Sequence, residues 1–220
     1  MFARSLLLAA EATVICLVLA FPVGYFLSRL RANKQHIMLM LVMLPMWMNF
    51  LLRTYAWMTL LEKNGLINKF FGLFGLGPFN MINTSGAVVL GMVYNYLPFM
   101  ILPIYSVIVK IDRSLLEAAR DLGADSVTAF RRVVLPLSLP GVLSGVTMVF
   151  VPSVSTFAIS RLLGGGTHMM LGDLIEQQFL GGAYNPHLGS AIALVMMVIV
   201  IICMGIMNRF GEGEEQAVLL

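Results

Sequence analysis

Five stretches of this chain, at about 5–27, 37–60, 86–109, 138–160 and 188–208, are each long and apolar enough to cross a bilayer. A helix needs about 20 mostly apolar residues for that, because each residue advances about 1.5 Å through a hydrocarbon layer about 30 Å thick. The stretches are too long and too continuous for lipid-facing strands, so they read as helices whose backbone groups are satisfied within the segment. Composition agrees: 59% of the 220 residues are hydrophobic and 11% charged, with a mean hydropathy of +0.90. An average soluble domain carries about 25% charged residues. No connection exceeds about 27 residues, so a soluble domain of typical size has no room. Residues 1–220 therefore read as a single all-α integral membrane domain.

The charges set the orientation. Arg29, Arg31 and Lys34 lie in the first connection, Lys110, Arg113, Arg120, Arg131 and Arg132 in or beside the third, and Arg209 after the last stretch. If the helices alternate, all of these fall on one side, facing Arg4, Lys63, Lys69 and Arg161 on the other. The positive-inside rule puts the richer side, with the third connection, in the cytoplasm. The basic residues punctuate spans and form no continuous stripe, so nucleic acid is not an expected partner. Cys16 and Cys203 both fall in spans and read as packing residues. His36, His168 and His187 are scattered and make no metal-ligand cluster.

The third connection, residues 112–136, is the most informative soluble segment. Ser114 and Glu117 have the spacing of a capping box, so a helix is expected from about Ser114. Leu115, Leu116, Ala118, Ala119 and Leu122 give it an apolar side, and Gly123 is placed to stop it in the left-handed conformation. Asp125 or Ser126 then caps a second short helix, with Val127, Phe130, Val133 and Val134 on one side, and Pro136 is expected to end it. A helix–Gly–helix knuckle on a membrane face is built to press on a partner.

The spacing of Glu117, Ala118, Ala119, Gly123, Val133, Leu135 and Pro136 resembles the EAA loop of permease subunits in bacterial ABC importers, with Val133 in place of the usual Ile. The resemblance implies a type I importer permease bundle, with these residues coupling the chain to an ATPase subunit through a cytoplasmic coupling loop. It also implies six spans, one more than are found here. The expectation is that this chain lacks the family's first helix, through an internal methionine start or as a naturally short form. No Walker A motif occurs, and Gly164-Gly165-Gly166 follows no strand and precedes no Gly-Lys-Ser/Thr, so it reads as a loop.

Ionisable residues inside spans are costly and should face protein or water. Glu11 and Arg53 are the two placed within apolar stretches. Asn49 and Arg53 are four apart, hence expected on one helix face, with Trp57 continuing it. That face could line a pathway or meet a second membrane subunit. Alternatively, Arg53 snorkels near the outer end and the Trp residues are interfacial. Tyr94, Asn95 and Tyr96 in the third span, and Ser153, Ser155 and Thr156 beside Pro152 in the fourth, are candidates of the same kind. Helix-to-helix glue is the plainer role for them. Aromatics with a carboxylate would suit a cationic amine. Prolines 22, 45, 98, 103 and 152 interrupt the spans. In the connection 61–85, Leu66, Ile67, Phe70, Phe71 and Phe74 have the spacing of an interfacial helix.

No catalytic constellation is present, and Asp173 with Glu176 reads as a solvated face. An intramembrane enzyme or scaffold is the competing class, and it would need no docking loop. Arg53-Thr-Tyr-Ala-Trp57, Val93 to Met100, Leu115 to Gly123 and Gly172 to Phe179 resemble the spermidine/putrescine branch of the permeases, the PotB-like type. Related branches carry iron, sulfate or molybdate, and opines. The resemblance implies a bacterial inner-membrane importer working by alternating access. Its parts are this chain, a PotC-like second permease, a PotA-like ATPase dimer and an external PotD-like substrate-binding protein, all among membrane lipids. ATP and Mg would sit on the ATPase and no cofactor on this chain.

Overall fold

A computed structural model gives the fold; it describes residues 2–166, 169–181 and 184–218, with side chains for all of these but Arg113 and 207–218. His168 thus lies outside the described residues, as do the side chains of Arg113 and Arg209. In chain order the helices are α1 (Phe2–Ser28), α2 (Ala32–Trp47), α3 (Phe50–Leu61), α4 (Leu66–Leu73), α5 (Ser85–Ile108), α6 (Arg113–Asp121), α7 (Ser126–Ala129), α8 (Leu135–Ser155), α9 (Ala158–Gly164), α10 (Leu171–Leu180) and α11 (Pro186–Val218), with a π turn at Phe130–Val134 between α7 and α8.

α5 runs through the centre, between α1 and α8, and buries Val88, Met92, Met100 and Ile104 completely. Lipid tails are as apolar as leucine, so helices associate here by close packing, which favours small residues at the contacts. α1 accordingly turns Ala9, Ala12, Cys16 and Ala20 inward, and Gly24 packs on Ile104. α8 approaches α5 at Gly141 and Gly145. A Cβ on Gly141 would lie 2.8 Å from the Pro103 carbonyl oxygen, and one on Gly145 would lie 2.7 Å from Met100 Sδ. α11 packs on α8 and α10 at the periphery, and α2 has no buried residue.

α1 and α5 match the first and third expected spans within a few residues, and α11 runs beyond the fifth to Val218. The second stretch is not one straight helix. It breaks at Met48–Asn49, and the axis bends by 88° between Ala32–Trp47 and Phe50–Leu73. The side-chain oxygen of Asn49 accepts from the backbone N–H groups of Leu51 and Leu52, so Asn49 caps α3 and competes with continuation of α2. The fourth span also ends early, at Ser155 and not near 160, and Thr156 is extended before α9 begins. Pro152 removes a backbone donor from the last turn, and Ser155 Oγ draws on the Val151 and Pro152 carbonyls. Among the described residues four helices are long and apolar enough to cross a membrane, or five if the bent pair counts as one span.

The 61–85 connection forms α4 as its spacing suggests, with Leu66, Phe70, Leu73 and Phe74 exposed. Buried Asn68 ties it together. Its amide nitrogen donates to the Glu62 and Phe79 carbonyls, and its oxygen accepts from Phe79 N–H.

Candidate docking knuckle and pathway residues

α6 and α7 form the expected knuckle between α5 and α8, but the cap differs. Asp112, not Ser114, starts α6: its carboxylate accepts from Ser114 N–H, and Ser114 lies inside the helix. Asp at the N-cap satisfies a free donor, so the Ser114–Glu117 spacing starts the helix two residues too late. At the other end Gly123 has φ +82°. Its N–H donates to Arg120 O at 2.8 Å and Ala124 N–H donates to Ala119 O at 3.0 Å. That bond pair is a Schellman stop, which needs a left-handed residue. Asp125 then caps α7 through Thr128 N–H. Both capping carboxyls are held below the ordinary Asp value by these hydrogen bonds, from Ser114 to Asp112 and from Thr128 to Asp125.

Pro136 does not end a helix. The chain runs as one helix from Ser126 to Ser155, and Pro136 opens α8. The π turn before it explains this: Leu135 N–H donates to Phe130 O, five residues back. This wider turn loosens the helix just where the proline ring would press on the Arg132 carbonyl. Phe130 in that turn is clasped edge-on by Phe21 and Tyr25, at 5.6 and 5.2 Å between ring centres. The knuckle's outward side is apolar although it lies outside the spans: Leu122 is 89% exposed, Val127 61% and Leu115 46%. Glu117, Ala118, Gly123, Leu135 and Pro136 are exposed, Ala119 and Val133 half-buried.

The intramembrane candidates divide. Asn49 is exposed at the α2–α3 break, so it does not share a helix face with Arg53. Arg53 is 8% exposed, and its Nε and Nη1 have no hydrogen-bond partner among the described residues. It does not snorkel: α3 turns it inward, close enough to place its charge on Tyr96. The Tyr96 hydroxyl bonds Thr156 and reaches the Pro152 carbonyl at 3.5 Å. Arg53, Tyr96 and Thr156 therefore meet where α8 breaks into α9. Trp57 stacks edge-on against Tyr94 at 5.3 Å. Asn95 is buried, with its amide nitrogen on Gly91 O and its oxygen unpartnered. Ser153 and Ser155 donate to carbonyls of their own helix. Glu11 is exposed on α1.

Sequence reasoning missed Asp173. Far from forming a solvated face with Glu176, it is buried as the third residue of α10, accepting from Met170 N–H at 2.7 Å and from Ser160. Burial pushes its carboxyl above the ordinary value, against the pull of those hydrogen bonds. Glu176 pairs with Arg161. Ser5 Oγ accepts from Leu171 N–H, fastening α1 to α10. An acid three residues into a helix was the available signal for Asp173.

A family model described as "binding-protein-dependent transport system inner membrane component" matches residues 12–211. The chain belongs to this family. The permease is 38% identical over 211 residues to the spermidine/putrescine transport system permease protein PotB of Haemophilus influenzae, covering 95% of this chain and 73% of that one. It is 38% identical to the Escherichia coli PotB over 198 residues, 89% of this chain and 72% of that one. It is 32% identical over 225 residues to the inner membrane ABC transporter permease protein YdcU of E. coli, covering 96% and 71%. Among solved structures it resembles the bacterial ABC transporter that imports the acidic polysaccharide alginate, with TM-score 0.77 at 16% identity, covering 96% of this chain and 78% of that one. The inward-facing MetNI methionine ABC transporter gives TM-score 0.63 at 18% identity, covering 99% and 94%. These likenesses establish the fold as that of an ABC importer permease, a multi-pass protein of the bacterial inner membrane.

Proposed function

We propose that this chain is one of two membrane-spanning subunits of an importer for polyamines of the spermidine and putrescine class. The observation that carries the substrate is the 38% identity to PotB over 95% of the chain, an overlap long enough to include both the knuckle and the Arg53 segment. The aromatic faces of Trp57 and Tyr94 suit an alkylammonium, which is drawn to ring faces. The chain itself is a non-catalytic part. ATP and Mg belong to a PotA-like ATPase dimer that grips the apolar knuckle, a PotC-like permease completes the pathway, and a PotD-like binding protein delivers substrate from outside. The knuckle favours this over an intramembrane scaffold or enzyme, because an exposed apolar patch outside the spans needs a cover.

The test is uptake by proteoliposomes holding the four-component assembly with ATP on the ATPase side. Radiolabelled putrescine should accumulate in an ATP-dependent way, and unlabelled spermidine should compete. ATP-driven uptake of sulfate, iron or an opine without putrescine would overturn the polyamine assignment and leave the permease role standing.

A further inference from the structure

A polar cavity of about 540 Å³ opens at the knuckle end of the bundle, between the end of α1, the start of α2 and α6. Arg29, Arg31 and Arg120 line it, with Tyr25, Gln35 and Glu117. Among the described residues the ion pair is Arg161 with Glu176, in the other half of the chain, so no described carboxylate is bonded to these three arginines. Arg29, Arg31 and Arg120 are themselves exposed, and part of the wall is held in place. Arg29 donates to the Tyr25 hydroxyl and lies over its ring at 4.8 Å, and Tyr25 is held by Phe130. Gln35 donates to the Leu27 carbonyl at 3.3 Å, closing the α1–α2 corner. A second feature adjoins the cavity. From just beyond Gln35, α2 presents Ile37, Met40, Leu41 and Leu44 outward, while Leu39 and Val42 on its other side pack partly buried against the core, and no described part of the chain covers the outward face.

We infer that this cavity holds the phosphate headgroup of an anionic phospholipid of the cytoplasmic leaflet, with its acyl chains along the exposed face of α2. The cations are at headgroup depth, since they follow directly on the last turn of α1 and precede the first of α2. The cytoplasmic leaflet is negative, and basic pockets between helices on that side bind such headgroups. Free phosphate would satisfy the arginines equally well but would leave the α2 face without a role. Glu117 at the rim disfavours a bare multivalent anion and accepts from a headgroup hydroxyl, which points to phosphatidylglycerol. A lipid seated there touches α6 through Arg120 and Glu117, so it braces the knuckle from the membrane side. The site is independent of what the importer carries.

The test is native mass spectrometry of the delipidated assembly, and of the permease pair without ATPase, titrated with dioleoyl phosphatidylglycerol or dioleoyl phosphatidylcholine. Phosphatidylglycerol should bind at least about ten-fold more tightly, in both assemblies, because several cations each contribute to attraction. Arg29→Gln and Arg31→Gln should each weaken it roughly five-fold, and Lys63→Gln, at the other end of the bundle, should not. Arg29→Lys with Arg31→Lys keeps the charge and should retain binding, which separates lost charge from lost fold. Equal binding of the two lipids, or binding unchanged in the Gln variants, overturns the inference. So does inorganic phosphate binding with the same arginine dependence when the lipid does not bind. Phosphatidylglycerol held by the pair but expelled by the ATPase would assign the cavity to ATPase docking instead.

Discussion

Gly123 sits at φ +82° with open space around it, so a side chain there meets no clash and its cost is purely backbone. An L-residue held left-handed costs about 1–2 kcal/mol, and β-branching makes it worse. Gly123→Val should therefore reach the membrane but lose most ATPase co-purification and transport. Retention of both would remove the knuckle as a mechanical element. Arg53 is a buried cation with two unpartnered nitrogens beside the α8–α9 break. Arg53→Ala should leave insertion intact and lower uptake by roughly ten-fold, equivalent to about 1.4 kcal/mol of barrier; uptake at the wild-type rate would show that the buried charge is dispensable. Asp173 gives a pH signature. Its folded pKa is raised above 3.8, so the native state binds the extra proton, and stability falls as pH rises from 3.8 through the folded value. Asp112 and Asp125 are shifted the other way and act below 3.8. Asp173→Asn should flatten the melting temperature against pH above 3.8, measured in detergent; a slope equal to wild type would mean another group is responsible.

The elements were legible where local chemistry and packing agree. α1, α5, α4 and the Gly123 stop were readable from apolar runs, spacing and one glycine, because nothing in the tertiary structure competes with those signals. The breaks were not. Asn49 caps a new helix inside an apolar run, and a run of hydropathy hides a single capping side chain. Pro136 reads as a stop, yet the π turn lets the helix continue through it, and that depends on the aromatic clasp from α1. Asp112 lay two residues ahead of a more familiar motif, and Asp173 needed Ser160 from another helix to show that it is buried. The α5–α8 contact carries its own prediction. Gly141→Val would drive a side chain into the Pro103 carbonyl, a backbone atom that cannot rotate away. Overpacking of this kind costs about 1–3 kcal/mol, so the variant should melt lower in detergent with its helix content preserved. An unchanged melting temperature would mean that α8 can slide away freely.

For the whole molecule, the knuckle and the α9–α10 corner lie at opposite ends of one bundle. With Cys16 and Cys203 replaced by Ala, Leu122→Cys should react with an impermeant maleimide only in inside-out vesicles, and Lys63→Cys only in whole cells. The reverse pattern would invert the molecule and remove the ATPase from the knuckle. The helix that runs from Ser126 through the π turn to Ser155 has a further consequence. At 1.5 Å per residue, thirty residues make a rod of about 45 Å. One end is the second half of the knuckle; the other ends beside Tyr96 and Arg53. Pivoting such a rod about one end by about 5° swings the other through about 4 Å. Leverage of this kind turns a slight tug at the ATPase into a displacement as wide as an amine.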